Sequence, residues 1–190
     1  MADTNQLAQN SYVTRSAASQ HEFYLTSTIE SCDKYIDWFD IIRSARPDDI
    51  VKIYINSYGG DLFTAIQFMR VLSETQATVI ISVEGACMSA ATMIFLCGHA
   101  FEVSEHSMFM FHNYSGGTFG KGGEMMDQLQ HESIWSRNLL QNTYKDFLTK
   151  KEIKSILNNK DLWMSGDEVI VRLQKKVEKM KLNAKVEEKC

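Results

Sequence analysis

Strand-like and helix-like segments alternate along this chain, which predicts an α/β domain on a largely parallel sheet. Three observations carry the prediction. The β-branched runs Ile50 to Ile55 and Ala77 to Val83 are each followed by a stretch with helical character. The only proline is Pro47, and no repeat or linker divides the chain. Its 190 residues are 44% hydrophobic and 23% charged, as in a single domain with a substantial core.

The elements follow in order. Residues 1–20 begin with a polar stretch (Asp3, Asn5, Gln6, Gln9, Asn10) that lacks the apolar core of a secretory signal. They read as a flexible arm or a removable leader. His21 to Ile29 is a strand. Ser31 can cap the next helix, whose apolar positions Tyr35, Ile36, Phe39 and Ile42 follow helical spacing. Pro47 punctuates the turn before the strand Ile50 to Ile55, and Asn56 to Gly60 reads as a loop. Leu62, Ala65, Ile66, Met69 and Leu72 mark an amphipathic helix. Ala77 to Val83 is a buried strand, and the small-residue segment at Ser89 opens a helix to about Cys97. Ala100 to Val103 and Met108 to Phe111 are short strands. Ser115 to Gly123 is glycine-rich and loop-like. A long helix is expected from Glu124 to Leu148, a shorter one from Lys150 to Leu157, a strand step from Leu162 to Met164 and a helix from Gly166 to Leu173. The tail 174–190 is rich in lysine and glutamate, and reads as a solvated helix or a disordered segment.

Composition narrows the function classes. The net charge of −4 argues against nucleic acid as the main partner. No apolar run reaches membrane-spanning length. Cys32, Cys87, Cys97 and Cys190 have neither metal-ligand spacing nor the pattern of a disulfide scaffold, so a reducing cytoplasm is expected. Cys87 and Cys97 lie in apolar stretches as buried thiols. The histidines form no H-x-x-x-H pair, and neither a metal nor a cofactor is called for.

Ser89 falls where an apolar strand gives way to a helix start, a position suited to a nucleophile whose oxyanion needs stabilising. Serine needs a base within hydrogen-bond reach. His112 closes the apolar run Met108 to Phe111 at a strand end, where sites in α/β sheets gather. His21, His99, His106 and His131 read as surface or core histidines. An acid must orient the base. Asp161, Asp146, Asp167 and Glu168 all compete for that role, and spacing alone does not choose. The Gly59-Gly60 pair is a tight turn or a backbone approach to a ligand. The N–H groups of Gly60 and Ala90 are the candidate oxyanion donors.

Four segments together resemble the successive signature blocks of the Clp protease proteolytic subunit. They are Ile53-Tyr54-Ile55-Asn56-Ser57-Tyr58-Gly59-Gly60, Gly85-Ala86-Cys87-Met88-Ser89-Ala90-Ala91, Met108-Phe109-Met110-Phe111-His112 and Asp161-Leu162-Trp163-Met164-Ser165. The order matches, over about His21 to Leu173. The resemblance implies a ClpP/crotonase-type fold of repeated strand-helix units with a protruding handle helix. It implies a serine endopeptidase with Ser89 as nucleophile, His112 as base, Asp161 as orienting acid and backbone N–H groups of Gly60 and Ala90 as oxyanion hole. It further implies a double-ring homo-oligomer, a tetradecamer, in which the helix from Glu124 to Leu148 joins the rings and the Gly-rich segment lines the substrate cleft. Residues 21–173 would form the peptidase domain.

The chain departs from the pattern at several positions. Tyr58 stands where the family usually has proline, and Ala90 where it usually has methionine. Lys52 and Glu74 fall where aromatic residues would dock an AAA+ unfoldase, which puts that docking in doubt. Two further readings share the fold: a crotonase-type acyl-CoA enzyme, and a catalytically weak or inactive ring subunit.

Overall fold

The computed structural model describes residues 17–187. The chain forms β1 (Gln20–Ile29), a 3₁₀ turn (Cys32–Tyr35) and α1 (Ile36–Ser44), then β2 (Ile50–Gly60), α2 (Leu62–Glu74), β3 (Thr78–Met88) and α3 (Ala90–Phe95). There follow β4 (Ala100–Val103), β5 (Met108–Phe111), α4 (Gly122–Tyr144), α5 (Lys150–Leu157), β6 (Leu162–Ser165) and α6 (Gly166–Glu187). The six strands make one sheet in the order β1-β2-β3-β5-β6, with β4 also paired to β3. Every pairing is parallel except β5 with β6. The predicted α/β architecture with a mainly parallel sheet is what the chain adopts.

β3 is the strand that organises the site. Its first half pairs with β4 (Ile80↔Ala100 to Val83↔Val103) and its second half with β5 (Ala86↔Met108 to Met88↔Met110). Between the halves the register against β2 slips, from Ile55↔Val83 to Ser57↔Cys87. The Asn56 side chain pins this bulge, because its Oδ1 accepts the Ala86 N–H at 3.0 Å. A Cβ at Gly85 would stand 2.8 Å from that oxygen, so glycine is needed beside it.

The core lies on the helix-covered face of the sheet, where Phe23, Ile53, Ile81 and Phe101 stand in register, Phe23 against Trp38 of α1 and Phe101 against Phe95 of α3. Tyr35, Phe39 and Phe68 pack edge-to-face or tilted between α1 and α2. Phe95, Phe109, Phe111 and Phe147 form a second aromatic cluster around α3 and β5. Ile36, read from its spacing as a core position, is half-exposed, because the chain enters α1 from the 3₁₀ turn and its inward face is set by Phe39 and Ile42. Cys87 is fully buried and Cys97 partly so; burial pushes the Cys97 thiol up to about 11. Cys32 is exposed. Cys190 lies outside the described residues, as does most of the predicted N-terminal arm.

Several boundaries differ from the sequence reading. Asn56 to Gly60 is strand rather than loop: β2 continues to Gly60, with Ser57 and Gly59 in the inward positions. The apolar signal stops at Ile55, but the ladder does not. β3 likewise runs on through the small residues to Met88. α4 starts at Gly122, inside the predicted loop, and ends at Tyr144, where the N–H groups of Phe147 and Leu148 both turn back to the Tyr144 carbonyl. α6 runs past Leu173 to Glu187 as one helix. No described helix is long and apolar enough to cross a membrane.

Candidate active site

Ser89 occupies the single-residue step between β3 and α3, with φ 54° and ψ −129°. A non-glycine residue in such a region costs roughly 1–3 kcal/mol and persists only where its surroundings enforce it. Here the enforcement is visible. The Ser89 N–H donates to the Met110 carbonyl at 2.8 Å, fastening the step to β5. The Ser89 carbonyl accepts from Thr92 twice, from its N–H at 2.9 Å and its hydroxyl at 2.6 Å. On the other side the backbone of Gly59 (φ 95°) presses against the step, and a Cβ there would lie 2.6 Å from the Ser89 Cβ.

His112 stands just beyond β5, whose register with β3 ends at Met88↔Met110. That pairing brings the imidazole to the serine: His112 Nε2 is 2.5 Å from Ser89 Oγ. For His112 to act as a base, the hydroxyl donates and Nε2 accepts, which puts the imidazole proton on Nδ1.

Asp161 is less complete. The antiparallel pairing of β5 and β6 ends at Phe111↔Leu162, so His112 and Asp161 are the next pair in register. Directly opposed residues share a sheet face and lie within side-chain reach. Yet Asp161 is exposed, and its side chain makes no hydrogen bond or ion pair with any described residue. The nearby loops are tied instead by Asn113 Nδ2 donating to Asn159 Oδ1 at 2.9 Å. The competing acids lie elsewhere. Asp146, Asp167 and Glu168 line a separate groove between the segment ahead of α5 and α6, which includes neither Ser89 nor His112. Glu168 accepts from the Ser165 N–H at 2.9 Å at the start of α6.

Gly60 and Ala90 line one small cavity of about 60 Å³ together with Ser89 and His112. Ala90 is the first residue of α3, so its N–H has no intrahelical acceptor. Gly60 has φ 149°, and a Cβ there would collide with the Ile29 carbonyl at 2.2 Å. The cavity is floored by Met93, Leu139, Leu140 and Tyr144. It adjoins a wider cleft of about 610 Å³, lined by Phe63, Tyr114, Gly116, His131 and Trp135 among others. That cleft runs between the glycine-rich segment and α4.

The supporting residues were not legible from spacing. Ser57, fully buried, donates to the Ser27 carbonyl at 2.6 Å and accepts the Gly59 N–H at 3.1 Å, so it shapes the glycine turn. Asp61 caps α2 by accepting the Thr64 N–H at 2.7 Å. Thr92 and Tyr144 bond to each other at 2.7 Å beneath Ser89. The remaining histidines behave as expected, His99 accepting the Val79 N–H through Nδ1 at 3.0 Å, except that His131 faces the wider cleft.

The family model described as Clp protease matches residues 11–171. No curated protein matches the chain.

Proposed function

The chain belongs to the Clp protease family and is a peptidase of that kind, and from this premise we propose that it is a serine endopeptidase using Ser89, His112 and Asp161. It acts on unfolded polypeptides or short peptides inside a ring-shaped oligomer in the cytoplasm, with residues 21–173 as the peptidase domain. The observation that carries the reading is the 2.5 Å contact between Ser89 Oγ and His112 Nε2 at an enforced backbone step.

The chemistry follows from the atoms. His112 takes the Ser89 proton as Oγ bonds to the scissile carbonyl carbon. The carbonyl oxygen becomes an oxyanion held by the Gly60 and Ala90 N–H groups. Collapse breaks the C–N bond, and the protonated His112 gives its proton to the leaving amine. Water then enters, loses a proton to His112 and bonds to the acyl carbon; collapse breaks the C–Oγ bond, and His112 returns the proton to Ser89 Oγ. In both halves Asp161 accepts the Nδ1–H of His112, which needs a side-chain rotation across one cross-strand pair.

Exposed Met126, Leu129 and Ile134 on α4 support the ring, since a lone chain leaves that apolar face in water. The positions where aromatic anchors would receive an AAA+ unfoldase carry ion pairs. Lys52 lies 2.9 Å from Glu102, and Glu74 binds both Arg43 and Arg70. An unfoldase that couples to this chain does so without those anchors.

The unbonded Asp161 favours one second reading, a weak or inactive ring subunit. A fluorophosphonate probe separates the two. The active peptidase labels, and Ser89→Ala abolishes both labelling and peptide hydrolysis. An assembled oligomer that takes no label sinks the peptidase reading, and a stable monomer in native mass spectrometry sinks the ring.

A further inference from the structure

Tyr144 is the last residue of α4 and is 1% exposed. Its hydroxyl lies 2.7 Å from Oγ1 of Thr92, across a sequence separation of 52. Oγ1 of Thr92 lies 2.6 Å from the Ser89 carbonyl oxygen. Proton counting sets the direction of both bonds. A carbonyl oxygen only accepts, so the single hydroxyl proton of Thr92 points at Ser89. Tyr144 must then donate to Thr92. Burial pushes the Tyr144 phenol up, which keeps that proton in place.

The Ser89 carbonyl and the Ala90 N–H belong to one peptide unit, planar and joined by resonance. Hydrogen bonds to its oxygen draw density from nitrogen and strengthen the N–H as a donor. The same bonds resist rotation of that plane, at a residue whose φ of 54° makes rotation a way to relieve strain. A threonine that bonds back to the carbonyl three residues earlier is ordinary helix chemistry. What distinguishes Thr92 is a second hydroxyl, buried and remote in sequence, at its oxygen. A buried phenol costs desolvation that phenylalanine would avoid. The Tyr144 ring also stands edge-on to Phe111 at 5.4 Å, bracing the strand end that carries His112.

We propose that Thr92 and Tyr144 are positioning residues that hold and polarise the Ser89–Ala90 peptide, and so strengthen the oxyanion-binding N–H of Ala90. The inference rests on the peptidase reading above. Thr92 is fully buried and Tyr144, at the cavity floor, is 1% exposed, so each hydroxyl is assigned to the relay: Tyr144 acts through Thr92, and Thr92 through the Ser89 carbonyl.

The test is steady-state hydrolysis of a short fluorogenic peptide by assembled wild type, Thr92→Val, Thr92→Ser, Tyr144→Phe and the Thr92→Val/Tyr144→Phe double variant. Deleting an oxyanion donor costs about 10²–10³ in kcat, and weakening one should cost about tenfold. Thr92→Val therefore lowers kcat about tenfold with KM changed by less than about twofold, the pattern of a lost transition-state interaction. Tyr144→Phe lowers kcat by a smaller factor, and the double variant is no worse than Thr92→Val, because one residue acts through the other. Thr92→Ser, which keeps the hydroxyl, restores kcat. If Thr92→Val does not fold, Tyr144→Phe carries the test alone, since it removes one oxygen atom. Wild-type kcat in the variants, losses confined to KM, or fully additive losses overturn the proposal. A wild type without Ser89-dependent hydrolysis overturns the peptidase reading and this inference with it.

Discussion

A residue with no side chain leaves room for the nucleophile. Gly59 lies against the Ser89 step with φ 95°, and a Cβ there would come within 2.6 Å of the Ser89 Cβ and 2.8 Å of the Met88 carbonyl. Those neighbours are backbone or the nucleophile itself, so neither can yield without moving Ser89. Gly59→Ala therefore combines left-handed strain with a clash, and should lower stability by more than about 1 kcal/mol. It should cut kcat far more than a stability loss of that size would, because the nucleophile moves relative to His112. Thermal melts beside probe-labelling rates check this, and a folded Gly59→Ala chain labelling at the wild-type rate would contradict it. Gly60 differs in kind: a Cβ there would come within 2.2 Å of the Ile29 carbonyl oxygen, so its substitution strains β1 first.

At the scale of elements, the sequence separates what periodicity encodes from what packing decides. β4, β5 and α5 begin and end where their patterns do, because short apolar runs and the Thr149-Glu152 capping box mark them. The pattern marks the site-bearing ends of β2 and β3 as loop and helix, because Ser57, Gly59 and Gly85 carry no apolar signal. Their strand geometry comes from side-chain and backbone bonds to β1 and from Asn56, none visible in a one-dimensional pattern. Ser89 and His112 were legible because each closes a strong strand; Thr92 and Tyr144 were not, since only the fold brings α4 beneath α3. Tyr58 shows what the β2 extension means. The register steps from Ser27↔Ser57 to Thr28↔Gly59, leaving Tyr58 as the bulged residue, 70% exposed. A bulged residue before a positive-φ glycine suits proline, because it stands outside the β1–β2 register. Tyr58→Pro should fold and gain about 0.4–1 kcal/mol by restricting the unfolded chain. A lower melting temperature would show that the Tyr58 N–H or side chain is needed.

At the scale of the whole molecule, α6 is held against the rest of the domain by buried Val169 and Leu173 and by a charged pair to α5. Arg172 donates to both carboxylate oxygens of Glu152 on α5, at 3.0 and 2.7 Å. The Thr149 N–H and hydroxyl donate to the same carboxylate, each at 2.8 Å. Together these bonds, with Arg172 foremost, hold Glu152 at about 2, below its ordinary 4.5. Asp49, bonded by Arg46 and the Ser19 N–H, is lowered further and ties the start of β2 to residues ahead of β1. A depressed carboxylate binds fewer protons folded than unfolded, so its stabilisation is complete above the ordinary value and fades on acidification. For Glu152 the window runs from 4.5 down to about 2. Arg172→Met keeps much of the aliphatic stem and removes the charge. The variant should melt below wild type at neutral pH, and the two melting curves should converge as pH falls through that window. Parallel curves across it would mean that the pair's electrostatics do not hold α6 in place and that the stem's packing does.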